Sequence, residues 1–140
     1  MRQIIFRGKR KDNNKWVTGC LLIEEPPLQC FTSEYTEPNK YLIGKSGFAD
    51  WNMTRPFTAA EVYPESVGQF TGLKDKNGKD IYENDLVKRN SSIYVIIYSD
   101  QIAGYTYSRD GKNSDSFPVY YDSEIGEVIG NIYENSDLLP

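Results

Sequence analysis

The chain has 140 residues, 16 basic and 20 acidic side chains, a net charge of −4 and no histidine. Without histidine there is no imidazole for a metal site, for near-neutral acid–base work or for a catalytic triad, and no cofactor or metal is expected. No apolar run approaches the roughly 18 residues of a membrane span, and Met1-Arg2-Gln3-Ile4-Ile5-Phe6-Arg7 lacks the apolar core of a secretory signal, so the expectation is a cytoplasmic protein with no membrane partner.

At this length about 70% of the unfolded surface can be buried without staples. Cys20 and Cys30 match no zinc or redox spacing, and free, half-buried thiols are expected. Eleven tyrosines, six phenylalanines and two tryptophans favour half-buried pleated surfaces, and hence strands. Residues 1–24 read as a hairpin: Ile4 to Arg7 and Lys15 to Leu22 flank the turn Asp12-Asn13-Asn14, and Pro26-Pro27 ends the second strand. Short strands are expected near Leu28 to Thr32 and Tyr41 to Ile43. Thr58 to Val62 reads equally as a strand or a helical turn. Gly68 to Leu73 and Asp80 to Tyr82 flank Asp75-Lys76-Asn77-Gly78, a hairpin turn in which Gly78 supplies positive φ. Further strands begin at Asp85, Ile93, Gly104, Phe117 and Gly126. Turn residues at roughly ten-residue intervals between them point to a small barrel or sandwich.

Tyr63 to Val87, with Gly68-Gln69-Phe70-Thr71-Gly72-Leu73-Lys74-Asp75 and Asp80-Ile81-Tyr82-Glu83-Asn84-Asp85 at its centre, resembles the central signature of the YopX family. Glu127-Val128-Ile129-Gly130-Asn131-Ile132-Tyr133-Glu134-Asn135 resembles its C-terminal signature, and Ile5-Phe6-Arg7 with Trp16 is similar to its N-terminal hairpin. Phe70 and Asn84 stand where tyrosine and glycine are expected, and asparagine also tolerates the left-handed region. The resemblance implies a phage or prophage setting and an SH3-like barrel, and it assigns no biochemical activity. The fold expected is therefore mainly β. An N-terminal β-hairpin and irregular β segment fill residues 1–66, and an SH3-like barrel fills 67–140.

Several motifs imitate chemistry. Gly44-Lys45-Ser46 looks like the end of a phosphate loop, but Asn39 stands where the first glycine belongs and no helix follows; a turn is expected. Asp75, Asn77 and Asp80 imitate a calcium loop with glycine misplaced and Lys76 and Lys79 alongside. Asp80, Glu83 and Asp85 are clustered carboxylates with no nucleophile, and Asp85 is expected to hold backbone amides in its turn. With no complete catalytic motif, the chain is expected not to be an enzyme.

Two surfaces remain as candidates. Tyr105, Tyr107, Tyr120 and Tyr121 include neighbours that face opposite sides of a strand, so part of the set should be exposed to bind protein. Arg7, Lys9, Arg10 and Lys11 belong to a start holding six basic residues against Asp12, a possible nucleic-acid contact. The remaining chain carries 10 basic and 19 acidic residues, which disfavours nucleic acid. The leading expectation is a phage accessory module that binds a host or phage protein or assembles with itself as a dimer or small ring, with strand Ile4 to Arg7 as the pairing edge. Nucleic-acid binding through the basic hairpin is the alternative.

Overall fold

The computed structural model of the protein describes residues 1–26, 37–47, 57–112, 117–119 and 126–139. Strand dominates it, with two short 3-10 turns as its helical content among these residues. The pairings fall into two antiparallel sheets. The chain divides into two compact units, Ile4–Val67 and Met1–Gln3 with Gly68–Pro140.

In the first unit, β1 (Phe6–Lys9) and β2 (Trp16–Glu24) form the expected hairpin, with Lys9 opposite Trp16. The chain reverses through Asn14 at φ 56°, a left-handed position asparagine adopts cheaply. β2 then pairs with β3 (Lys40–Ser46), and β3 with β4 (Phe57–Glu61). The ambiguous segment near residue 60 is thus a strand. Gly44-Lys45-Ser46 is also strand, the close of β3, and not the expected turn: Gly44 is buried, and the Phe57 ring fills the space its side chain would take. Past β4, an Arg10–Val62 bridge ties the chain back to the end of β1. Tyr63 N–H donates to the Lys9 carbonyl at 2.9 Å, and Lys9 N–H donates to Ser66 Oγ at 2.8 Å. The N-terminal strand is therefore covered from Lys9 onward, whereas the expected pairing edge, Ile4 to Arg7, precedes this stretch.

In the second unit, β5 (Gly68–Lys74) and β6 (Asp80–Tyr82) form the hairpin expected around Gly78, whose φ is 82°. The five-stranded sheet runs β10 (Phe117–Pro118), β9 (Gly104–Ser108), β8 (Ser92–Ser99), β7 (Asp85–Arg89) and β11 (Glu127–Asn131). Its core is Ile81, Val87, Ile96, Tyr107 and Val128. Among the described residues the sheet is open at both ends, and this corrects the closed barrel that the family resemblance implied. The reason lies at β11. Its outer edge meets a turn rather than another strand: Val128 N–H donates to Asp75 Oδ2 at 3.0 Å, and Lys76 N–H donates to the Gly126 carbonyl at 3.3 Å.

The strand suggested near Leu28 to Thr32, together with Cys30, Tyr120 and Tyr121, lies outside the described residues. Cys20 is a free and exposed thiol, not half-buried.

Candidate functional site

Among the described residues of the second unit are two concavities, one at each end of the β8–β9 pair. Register puts Val87, Tyr94, Ile96, Tyr98, Tyr105 and Tyr107 on a single side of the five-stranded sheet: Tyr94 lies opposite Val87, Ile96 opposite Tyr107, and Tyr98 opposite Tyr105. The middle of this row is core. At the β8–β9 end the same face runs past the core, and there Tyr98 is 45% exposed.

Tyr98 and Tyr105 meet edge to face with centroids 5.5 Å apart. They line a cleft of about 460 Å³ together with Arg2, Gln69, Glu83, Ala103 and Gly104. Ile102, at the tip of the connecting turn, is 51% exposed. Ala103 holds that turn at φ 50°, an uncommon conformation for a residue with a side chain. Burial pushes the Tyr105 hydroxyl up to about 12, and the Glu83 charge adds to this. Burial likewise raises the Glu83 carboxyl, against one backbone hydrogen bond from Gln69. The cleft combines two aromatic rings and a poorly solvated carboxyl beside a turn that exposes Ile102.

Of the tyrosines expected to bind protein, Tyr105 reaches this cleft. Tyr107 does not: it is 1% exposed, packs edge to face on Tyr94 at 5.7 Å, and carries the Arg89 guanidinium 5.6 Å from its ring centre. It is a core residue, and its expected docking role is corrected. The two side chains share a face, so alternation cannot separate them; position along the strand does. Tyr98 and Ile102 were missed by sequence reasoning. The signal was available, since an aromatic pair beside a polar hairpin tip must leave the core.

The basic hairpin is already occupied. Arg10 makes a two-pronged contact with Asp12, at 2.9 and 2.6 Å, and Lys11 meets Glu61 at 2.8 Å. The hydrogen bond it donates to Glu61 raises the Lys11 ammonium, and those donated to Asp12 raise the Arg10 guanidinium. Arg7 lies over the Trp16 ring at 5.1 Å, and Lys9 is half-buried.

The clustered carboxylates separate. Asp80 pairs with Lys74, Glu83 lines the cleft, and Asp85 is buried with Oδ2 accepting the Tyr82 N–H at 2.8 Å. Asp85 thus holds a turn amide, as expected. The calcium-like Asp75 is buried, with Oδ1 accepting from Asn77 and Lys79 and Oδ2 from Val128. Both its oxygens serve backbone N–H groups. Among the described residues, no group of three His, Cys, Asp or Glu side chains is placed to hold a metal ion. No described helix is long and apolar enough to cross a membrane.

These features define a mainly β, two-unit protein with an aromatic cleft at one hairpin tip. The family model for the YopX protein matches residues 5–140, essentially the whole length, and the chain belongs to the YopX family. No curated protein matches it.

Proposed function

We propose that this YopX-family chain is a non-enzymatic protein-recognition module, encoded by a phage or prophage and acting in the host cytoplasm. Its docking site in this reading is the Tyr98–Tyr105 cleft, and its ligand is an extended, apolar-rich segment of a host or phage protein. The observation that carries the reading is the Tyr98–Tyr105 pair lining the cleft, with Tyr98 exposed and half-buried Tyr105 beneath it, next to a turn that exposes Ile102. Aromatic anchors in a concavity supply most of the affinity in peptide recognition, and polar rims supply orientation. We read the second unit as SH3-like in strand order, a β7–β8–β9 meander with the last strand returning beside β7, though its sheet is not closed. Aromatic-lined grooves on such domains hold extended segments, which agrees with the cleft by analogy of fold only.

Self-association belongs to the same proposal, along the edge of β4, where Phe57, Thr58 and Ala59 are exposed and uncharged. Nucleic-acid binding by Arg7, Lys9, Arg10 and Lys11 has less support, because carboxylates and Trp16 already hold three of the four.

The test is affinity capture from host cells with wild type, Tyr98→Ser, Ile102→Ser and a Lys11→Gln control. The partner held by wild type should be lost from the first two variants and kept by the control. Capture that survives both cleft substitutions would overturn the cleft as the docking site.

A further inference from the structure

The same strand face that forms the Tyr98–Tyr105 cleft at one end reaches past the core at the other, near the turn between β7 and β8. Here lies a separate concavity of about 350 Å³, lined by Ser91, Ser92, Ile93, Arg109 and Leu138. Its construction follows from three local choices. Asn90 at φ 55° makes a tight reversal that sets Ser91 and Ser92 at the mouth. β9 ends at Ser108, so Arg109 leaves the ladder beside Tyr94. The 3-10 turn Ser136–Leu138 brings Leu138 over the opening.

The polar groups converge. The Arg109 guanidinium lies 5.8 Å from the Tyr94 ring centre, and Arg109 and Ser92 line the concavity together. Tyr94 is itself braced edge to face against buried Tyr107, so the platform under Arg109 is rigid. Arg89, opposite Ser92, stands over the Tyr107 ring on the same face and adds positive charge nearby. Arg109 makes no ion pair among the described residues, and no described carboxylate lines the concavity. Arg10, Lys11, Lys74 and Lys76 each have an acidic partner, which sets Arg109 apart from them.

A guanidinium fixed by a ring leaves a planar fork of donors for two oxygens of one anion, and serine hydroxyls add donors for a third. Ile93 and Leu138 supply an apolar wall. The volume suits a small ligand and is too small for a folded element. The geometry points to a binding site for a small phosphorylated molecule with an apolar or aromatic body, of the nucleoside monophosphate class, its phosphate on Arg109 and the Ser91–Ser92 hydroxyls and its body against Ile93 and Leu138. The site is independent of the protein-docking cleft and is tested separately.

Titration calorimetry at 0.15 M salt with adenosine monophosphate, adenosine and inorganic phosphate reads each half of the proposal. The monophosphate should bind at least tenfold more tightly than adenosine or phosphate alone. Arg109→Gln should weaken it at least tenfold. Leu138→Glu, which puts a like charge at the wall without touching the guanidinium, should weaken it comparably, and Lys112→Gln should leave it unchanged. Thermal melting of each variant establishes that it is folded. Equal affinity for adenosine and its monophosphate, undiminished binding by folded Arg109→Gln, or no binding by wild type at millimolar ligand would overturn the proposal.

Discussion

Asp75 commits both carboxylate oxygens to backbone N–H groups, one of them in a distant strand. Burial pushes its carboxyl up, but N–H groups from Val128, Lys79 and Asn77 outweigh this and hold it below the ordinary range. One carboxylate thus closes its own turn and caps β11, 53 residues away. Asp75→Ala leaves the buried Val128 N–H unsatisfied and should cost about 3 kcal/mol in urea unfolding, from the usual size of charge-assisted bonds. The pH dependence has a definite sign. A carboxyl depressed in the folded state stabilises fully above its unfolded pKa, near 4, and that contribution fades as pH falls through the lower folded value. The gap between wild type and Asp75→Asn should therefore narrow below about pH 4, and a gap constant to pH 2 would contradict the assignment. Glu83 has the opposite sign, because its folded carboxyl is raised by burial. Its charge costs stability as pH rises past its ordinary value, so Glu83→Gln should raise the melting temperature at pH 8 and leave it little changed at pH 3.5. At the cleft turn, Ala103→Gly removes a side chain from φ 50° and should add about 1 kcal/mol of stability, measured in the same urea experiment.

At the scale of elements, the turn between β5 and β6 was the most legible feature. Asp75-Lys76-Asn77-Gly78 is local chemistry, and the structure closes it with Gly78 N–H on the Asp75 carbonyl at 2.9 Å. Nothing lies within 4 Å of a Cβ at Gly78, so Gly78→Val should cost about 1–2 kcal/mol through backbone strain alone. A melting curve unchanged by that substitution would mean the turn relaxes. Asn84 was legible for the same reason: it takes φ 69° where glycine was expected, donates its N–H to the Ile96 carbonyl and accepts from Ile132. Pairings between distant segments were not legible. β11 lies beside β7 with a bulge between Val128 and Gly130, and no periodicity in either strand encodes a partner 40 residues away. Tyr107 was misplaced for a related reason. Side-chain alternation gives the face, whereas the limit of the core depends on how far β8 and β9 extend beyond β6 and β11. Arg109 was invisible because its site joins a strand end, a serine turn and a 3-10 turn 46 residues away.

For the whole molecule, the number of free edges decides whether copies pair. β1 is bonded from Lys9 onward by the Val62–Ser66 segment, and β11 is capped by the Asp75 turn. That leaves β4. Its Glu61 carbonyl already accepts the Lys11 N–H, so the carbonyl turns away from β3, and by alternation Ala59 and Phe57 turn their backbone groups outward as well. Two copies paired antiparallel about Thr58 would form about four hydrogen bonds, each worth roughly 1 kcal/mol net. Burying the two Phe57 rings, each 56% exposed, adds about 2 kcal/mol apiece. Against this stands an association cost of at least 4 kcal/mol, so about 4 kcal/mol at most remains and the dissociation constant falls near the millimolar range. Strand pairing here is weak because the edge is short, not because charge opposes it; a net −4 is screened within about 8 Å at physiological salt. Light scattering should accordingly give a mass near 16.1 kDa at 1 μM wild type, rising toward twice that at about 1 mM. Phe57→Lys places a charge at the edge and removes the ring, and should hold the mass at the monomer value throughout. A mass independent of concentration in wild type, or a rise undiminished in Phe57→Lys, would remove β4 as the pairing edge.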